Sequence, residues 1–342
     1  MVIIHVLYFS ELTGTEKVCI DLCNEMSKKN DVYLFSNKIS TDKHNIVSNL
    51  YKNVNFIEIS IDKSRYNPFY LFKLAKLVKQ IKPDIIHCHN TKFLEIMKYM
   101  QIFLSKKIPL VFTKHNWFIK KKMKLADLCI GISPETLELC KKCCSKGKTI
   151  LIENGISFKT PKIILNRNNF NIVSVGRLEE HKNFQLAIKA LSKVGFNFKF
   201  YILGQGVYEN ELKQLIKKLN LDDKIKLLGY INNPWDYIYS SNIQLLPSRL
   251  EGFSLALIEG IYYGNMVFAL DTANHKEILG NDFIVEDDVD LLAQKLDFVY
   301  ENYDLYKEKF LKIKQNSQKY SIENVAEKYI KAYKDLIEDF KK

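Results

Sequence analysis

Two short segments hold residues of the right type and spacing to grip a diphosphate and a polyhydroxylated ring. The first is Gly176-Arg177-Leu178-Glu179-Glu180-His181-Lys182-Asn183, directly after the apolar run Ile172–Val175. Gly176 permits a tight exit from a strand, and Arg177 and Lys182 then stand at the mouth of the next helix. Two cations beside a helix N-terminus form a diphosphate clamp, because the side-chain charges and the backbone dipole share one sign. The same residues also suit a solvated loop. Arginine is scarce, four of 51 basic residues, which favours a working role for Arg177. The second segment runs from Leu246 to Gly260 and reads LPSRLEGFSLALIEG. Glu251 lies in the turn after a strand, and Glu259 follows eight residues later, about two turns into a helix that Ser254 can cap. Two carboxylates facing one crevice can accept hydrogen bonds from sugar hydroxyls. The helix N-terminus between them offers free N–H groups to an anion. As bare chemistry this is suggestive only, since a glutamate on a helix is usually a surface group.

Those segments need strands to present them. Short apolar runs alternate with amphipathic stretches of helix length throughout, the pattern of βαβ units and parallel sheets. In the first half the strand runs are Val2–Phe9, Asp31–Ser36, Val54–Ile59, Asp84–Cys88, Leu110–Thr113 and Leu128–Ile132, with helices at Thr15–Lys28, Pro68–Ile81 and Pro134–Cys144 among others. The pattern weakens over Ile152–Asn169 and restarts with Ile172–Val175, Lys199–Leu203, Ile225–Leu228, Ile243–Leu246 and Met266–Leu270. Helices are expected at Asn183–Val194, Tyr208–Leu219 and Ser254–Tyr263, and the last ~50 residues read as purely helical. A chain of 342 residues exceeds one typical core of ~100–200 residues. The expected fold is therefore α/β with two Rossmann-like domains: residues 1–158, residues 159–320, and a helix at 321–342 packing back toward the N-terminal domain. In such sheets ligands bind beyond the carboxyl ends of the strands, where both segments fall.

Composition narrows the class. No run of ~18 or more uncharged apolar residues exists, so no transmembrane helix is expected. The opening MVIIHVLYF reads as a core strand rather than a signal peptide. The seven cysteines (Cys19, Cys23, Cys88, Cys129, Cys140, Cys143 and Cys144) read as free thiols in a reducing cytoplasm. Cys140-Lys-Lys-Cys143-Cys144 lacks a second pair at zinc spacing and is expected to flank a helix. Residues 1–160 hold 26 Lys and Arg against 14 Asp and Glu, whereas residues 161–342 hold 25 of each, so the net charge of +12 lies entirely in the first half. A one-sided basic field suits a membrane surface, a phosphate-bearing acceptor or nucleic acid. Asn67–Lys82, with Phe69, Tyr70 and Phe72, and Trp117–Lys124 mix aromatics with lysines and suit attachment to anionic lipid. Helices packed on a sheet with lysines in water explain them equally. No RNA-binding aromatic motif, helix-turn-helix signal or zinc finger is present, so nucleic acid is not an expected partner.

Three further patterns are weaker. Asp288-Val-Asp290 spells a metal-binding DxD but precedes a helical run, so the acidic residues are expected to cap it. In His87-Cys88-His89 the two histidines share one face of a strand and Cys88 points into the other layer, which leaves His87 structural and His89 at the strand end. Gly204-Gln-Gly206 follows a second-domain strand and is consistent with a nearby nucleotide.

In combination these pieces resemble the retaining glycosyltransferases of the GT-B fold, family four in particular. Glu251…Glu259 resembles the family's E-x7-E motif, Gly176-Arg177…Lys182 its GR…K, Asn154-Gly155-Ile156 its NG[IV] junction, and Leu228-Gly229 its strand-end glycine. Pro247-Ser248 resembles the PS before the first Glu, and Gly264 with Glu277 the closing glycine and glutamate. In the first half, Thr13-Gly14-Thr15-Glu16 resembles the glycine loop after strand one, and His89, His115 and Ser133 the residues ending later strands. The resemblance implies two domains facing across a cleft. It assigns the donor diphosphate to Gly176, Arg177 and Lys182, the ribose to Glu259, and the transferred sugar and phosphate to Glu251 with the backbone of Gly252, Phe253, Ser254 and Leu255. Gly14 would approach donor phosphate and acceptor, His115 the reacting sugar, and Glu277 would close the pocket. Departures from the pattern are Thr13, Ser254, Gly260 for alanine, and Asn265 for proline.

The implied reaction is transfer of a hexose or N-acetylhexosamine from a nucleotide-sugar, a UDP-sugar in first place. The implied acceptor is a bacterial surface glycan or lipid-linked species such as lipopolysaccharide or capsule. Retention by front-face attack is implied, with no metal, no cofactor and no covalent nucleophile, at the inner face of the cytoplasmic membrane. A GT-B-like nucleotide-sugar epimerase, which needs no second sugar acceptor, and a basic nucleic-acid- or membrane-binding protein without catalysis are the alternatives. A pyridoxal phosphorylase would be much longer.

Overall fold

The computed structural model describes residues 1–8, 14–37, 46–60, 66–116, 118, 121–144, 147–272 and 274–341, with the side chains of 46 and 47 excluded. Thr13, Phe9, Trp117, Ile119 and Lys120 therefore lie outside the described residues. The chain divides into two compact units, Met1–Ser157 with Tyr320–Lys342, and Phe158–Lys319.

In the first unit the elements are β1 (Val2–Leu7), α1 (Gly14–Met26), β2 (Asp31–Ser36), β3 (Val54–Glu58), α2 (Pro68–Ile81), β4 (Ile85–Cys88), α3 (Thr91–Met100), β5 (Leu110–Lys114), β6 (Leu128–Gly131), α4 (Pro134–Cys143), β7 (Lys148–Leu151) and the C-terminal helix Ile322–Lys341. Among the described residues the strands form one parallel sheet in the order β3-β2-β1-β4-β5-β6-β7. Strands covered on both faces need mainly apolar runs, which β1, β4, β5 and β6 supply apart from the buried His5, His87, Thr113 and Lys114. One face packs against Leu71, Leu74 and Val78 of α2 and Phe93, Ile96 and Met97 of α3, with Ile4, Val6, Ile86 and Cys88 pointing into that layer. Helix starts follow local chemistry. Asn67 and Asn90 accept from the backbone N–H groups of Tyr70 (3.2 Å) and Phe93 (2.9 Å), and Ser133 with Thr136 closes a reciprocal capping box.

The C-terminal helix is tied to the sheet through two buried tyrosines. The Tyr333 hydroxyl lies 2.6 Å from His87 Nδ1, and the Tyr329 hydroxyl 3.3 Å from Thr113 Oγ1, which in turn lies 2.7 Å from His87 Nε2. A Cβ at Gly155 would stand 2.8 Å from Val325 Cγ2 and 3.0 Å from the Tyr320 carbonyl. Residue 155 must therefore be glycine for this helix to seat. Cys129 and Cys144 are joined as a disulfide, which corrects the expectation of seven free thiols. The fold brings the end of α4 back beside β6, where both sulfurs approach the Met123 carbonyl, a proximity that linear spacing does not reveal.

The second unit contains β8 (Asn171–Val175), α5 (Phe184–Leu191), β9 (Lys199–Leu203), α6 (Glu209–Lys218), β10 (Ile225–Gly229), α7 (Pro234–Ser240), β11 (Ile243–Leu246), α8 (Leu255–Tyr263), β12 (Val267–Leu270), α9 (His275–Leu279), β13 (Ile284–Val285), α10 (Val289–Glu301) and α11 (Tyr303–Lys314). Its parallel sheet runs β10-β9-β8-β11-β12-β13. In both sheets the order reverses beside the unit's first strand, between β1 and β4 and between β8 and β11. Among the described residues no helix is long and apolar enough to cross a membrane.

Tyr333→Phe should leave His87 Nδ1 without a partner in a fully buried place, costing about 1–3 kcal/mol. The expected result is a melting midpoint lowered by several degrees, read by circular dichroism.

Candidate active site

In a doubly wound sheet the crevice for ligand opens where the strand order reverses. In the second unit that point is flanked by the exits of β8 and β11, which carry the two segments singled out above. After β8 the chain passes Gly176 and Arg177, makes a short turn at Glu180–Lys182, and enters α5 through Asn183 in the left-handed region, φ 53°. Two glycines just after the neighbouring strand β9 allow this path. A Cβ on Gly204 would stand 1.8 Å from the Gly176 carbonyl oxygen, and one on Gly206 2.3 Å from that of Leu178. Gly204-Gln-Gly206 thus acts as a close-packed backing for the Arg177 loop, with Leu178 N donating to the Gln205 carbonyl at 2.9 Å.

The exit of β11 meets this loop directly. Lys182 Nζ lies 2.5 Å from Glu251 Oε1, and the side chains are only 16% and 11% exposed. Burial would raise the Glu251 carboxyl, but the Lys182 ammonium, through charge and hydrogen bond, and a hydrogen bond from Ser248 hold it below its ordinary value. Glu251 is therefore an ionised acceptor and not a proton donor at neutral pH. Arg249 forms a two-pronged pair with Asp287 (2.5 and 3.1 Å), its backbone N–H donates to the His181 carbonyl at 2.8 Å, and Asn183 Nδ2 reaches Asp287 Oδ1 at 3.1 Å. These contacts lace the two exits together.

Ser254 caps α8, its hydroxyl accepting from Leu257 N at 3.2 Å. The N–H groups at the start of α8 are thus held beside Glu251 in sequence. Phe253 and Ser254 are buried, while Gly252 and Leu255 are half-buried. Glu259 is buried within α8. Arg177 does not join the Lys182–Glu251 pair; its guanidinium is over half exposed and pairs with Glu179 at 2.6 Å. Glu277 is exposed in the first turn of α9. Asp288 caps α10, accepting from Asp290 N and Leu291 N at 2.9 Å each.

One residue of this cluster was missed from sequence. His275 is fully buried and lies within the field of Glu251 and Lys182. Its Nδ1 is 2.9 Å from the Leu270 carbonyl, and Nε2 has no hydrogen-bond partner among the described residues. Burial lowers its pKa, so it is a neutral imidazole there. Only its place two residues before Glu277, after a strand end, could have marked it.

Gly14 and His115 belong to the first unit. Gly14 is the exposed first residue of α1. His115 directly follows β5, half-buried, with Nε2 3.0 Å from His89 Nδ1. Burial and the neighbouring Lys114 lower its pKa to about 3.

Two parallel-sheet units with this strand order, and charged loops at the switch point of the second, define the GT-B class of glycosyltransferase fold. Residues 157–320 match the glycosyl transferases group 1 family, and residues 12–159 match glycosyltransferase family 4. Together the two matches run from residue 12 to 320, and the chain belongs to the group 1, family four glycosyltransferases. It is 34% identical over 203 residues to the N-acetylgalactosamine-N,N'-diacetylbacillosaminyl-diphospho-undecaprenol 4-alpha-N-acetylgalactosaminyltransferase of Campylobacter jejuni, covering 58% of this chain and 52% of that protein. A second Campylobacter jejuni enzyme, the GalNAc-alpha-(1->4)-GalNAc-alpha-(1->3)-diNAcBac-PP-undecaprenol alpha-1,4-N-acetyl-D-galactosaminyltransferase, is 24% identical, covering 93% of this chain and 94% of the relative. Among solved structures, HepE of Anabaena in complex with UDP and glucose superposes with a TM-score of 0.82 at 15% identity, covering 98% of this chain and 100% of that one.

A carboxyl whose folded pKa is depressed contributes stability that is present above its unfolded value and lost as pH falls through the folded one. The stability advantage of the protein over its Glu251→Gln variant should therefore be full at pH 6–7 and shrink as pH drops below the ordinary value of 4.5. Melting midpoints of both proteins across that range check it; a gap that widens on acidification contradicts the ion pair.

Proposed function

We propose that this chain is a retaining glycosyltransferase that moves a hexose or N-acetylhexosamine from a nucleotide-sugar, a UDP-sugar in first place, onto a bacterial surface glycan or its lipid-linked precursor. The observation that carries the proposal is the nearly buried Lys182–Glu251 pair at the switch point of the second unit. Lys182, with the exposed Arg177 and the N–H groups opening α8, offers positive charge to a diphosphate. Glu251, ionised, accepts hydrogen bonds from hydroxyls of the transferred sugar, and Glu259 accepts from the ribose. The names of both Campylobacter relatives, which act on diphospho-undecaprenol-linked sugars, and the UDP and glucose in HepE support the donor and acceptor classes.

In this reading the bond from the anomeric carbon to the diphosphate oxygen breaks while the acceptor oxygen closes on the same face of the sugar. The leaving diphosphate takes the acceptor proton. Arg177 and Lys182 meet the charge that builds on the leaving oxygen, a benefit realised only as the bond breaks. Two side-chain cations supply that neutralisation, so the reading requires no metal and no cofactor. Gly14 and His115 serve the acceptor and the reacting sugar from the first unit.

A surface on that unit supports membrane attachment at the inner face of the cytoplasmic membrane. Phe69 and Phe72 of α2 are 85% and 58% exposed, and Ile102, next to Phe103 in sequence, is 77% exposed. Phe72 and Phe103 meet edge-to-face at 5.8 Å. Lys73, Lys76, Lys79, Lys106 and Lys107 are all exposed on the same segments. Apolar groups amid lysines favour an anionic bilayer.

Lys182→Ala and Glu251→Ala should each lower transfer at least ~100-fold while a cooperative melt persists. Near wild-type turnover in either removes the site assignment. Without added metal, one nucleotide among UDP, GDP, CMP and ADP should raise the melting midpoint selectively, by roughly 2.7 kcal/mol of stabilisation at ~100 times its dissociation constant. Turnover of the nucleotide-sugar without any acceptor would favour an epimerase instead.

A further inference from the structure

His115 ends a file of three imidazoles that starts in the core of the first unit. His5 Nδ1 lies 3.1 Å from His89 Nε2, and His89 Nδ1 lies 3.0 Å from His115 Nε2. The rings stack at each step, with centroids 5.4 and 5.2 Å apart and planes within 21° and 26°. His5 and His89 are buried, at 0% and 5% exposure. His87 stands beside them but takes no part, since its two nitrogens are engaged by Tyr333 and Thr113.

A hydrogen bond between two neutral imidazoles needs one N–H and one lone pair. The middle ring uses both nitrogens, so it passes the polarity on. Only two arrangements of protons satisfy both bonds. In one, all three rings carry the proton on Nδ1. His5 donates to His89, His89 donates to His115, and His115 is left with an Nδ1–H facing away from the file. In the other, all three carry it on Nε2, and His115 is left with an Nδ1 lone pair.

The far end of the file decides between them. His5 Nε2 is buried and has no hydrogen-bond partner among the described residues. A ring nitrogen of His5 and the sulfurs of Cys19 and Cys23 lie within 4.8 Å of one another, all in full burial. Burial pushes the Cys19 thiol well up, so it keeps its proton. A thiol is a weak donor and a poor acceptor. A buried lone pair with no donor costs less than a buried N–H with no acceptor, which is the rarer orphan in proteins. Burial also holds His5 and His115 near a pKa of about 3 and His89 well below the ordinary value, so the file stays neutral.

We propose that the His5–His89–His115 file fixes His115 as its Nδ1–H tautomer, so that it presents a hydrogen-bond donor, not a base, to an oxygen of the sugar substrate. His89 is a positioning residue acting through His115, and His5 sets the polarity. The substrate contact rests on the glycosyltransferase reading above; the tautomer does not.

The test is nitrogen-15 NMR of histidine-labelled protein at pH 7, which separates N–H from lone-pair ring nitrogens. The expected result is an N–H at Nδ1 of His5, His89 and His115. An Nε2–H at His115, or a mixture of the two forms, overturns the proposal whether or not transfer is ever detected. Kinetics give the second arm. His89→Leu removes the partner of His115 Nε2, and kcat should fall about tenfold, roughly the net worth of one hydrogen bond, with the donor KM little changed. His89→Asn places an amide where Nδ1 stood and should recover most of that loss together with the Nδ1–H signature. Equal loss in both variants would mark His89 as packing only and overturn its positioning role. If no donor is ever turned over, the transferase reading fails while the NMR result still decides the tautomer.

Discussion

The Lys182–Glu251 ion pair joins two strand exits 69 residues apart in sequence, and the geometry of the second unit's switch point depends on it. Each charge is nearly buried, and each would be costly to hold there without the other. The pair therefore couples the loops: displacing one strands the charge of the other. Arg249, Asp287 and Asn183 reinforce the same link from the outer side, in more exposed contacts of smaller individual worth. The cation and the acceptor are thus held in place and largely out of water.

Close backbone packing makes that coupling possible. The loop bearing Arg177 can lie against β9 only because Gly204 and Gly206 have no Cβ to strike the carbonyls of Gly176 and Leu178. A similar constraint accounts for one departure from the family pattern. A Cβ at Gly260, where the family motif as read from the sequence has alanine, would stand 2.0 Å from Gln244 Oε1. Gln244 on β11 instead donates from Nε2 to the Ala256 carbonyl inside α8 at 2.9 Å. The glutamine occupies the room of the missing methyl group and ties β11 to the helix that carries Glu259.

The first unit has a different character. The lysines of α2 face water, while His5, His87 and His89 lie inside and are kept neutral by burial, with hydroxyl or imidazole partners at most ring nitrogens. The C-terminal helix closes over this polar seam through Tyr329 and Tyr333, so the last residues of the chain complete the core begun by the first. Apolar rings exposed on α2 among lysines, and buried polar rings under the C-terminal helix, divide one basic domain into a wet outer surface and a dry polar interior.

The amino-acid sequence by itself determined the alternation of strands and helices, because parallel strands buried on both faces must be continuous apolar runs and the helices between them amphipathic. It also marked the strand exits, since Gly176, Lys182, Glu251 and the Ser254 cap act locally, through turn and helix-start chemistry that neighbouring residues dictate. The edge strands β7 and β13 escaped it, being short and half-exposed at β7 and two residues long at β13. Contacts that span the chain belonged to the tertiary structure alone. Pairing of Lys182 with Glu251 rather than Arg177, the entry of His275 beside them, the Cys129–Cys144 bond and the imidazole file through His5 all depend on which strands become neighbours. Spacing along a chain carries no record of that order, which is settled by how the two sheets wind.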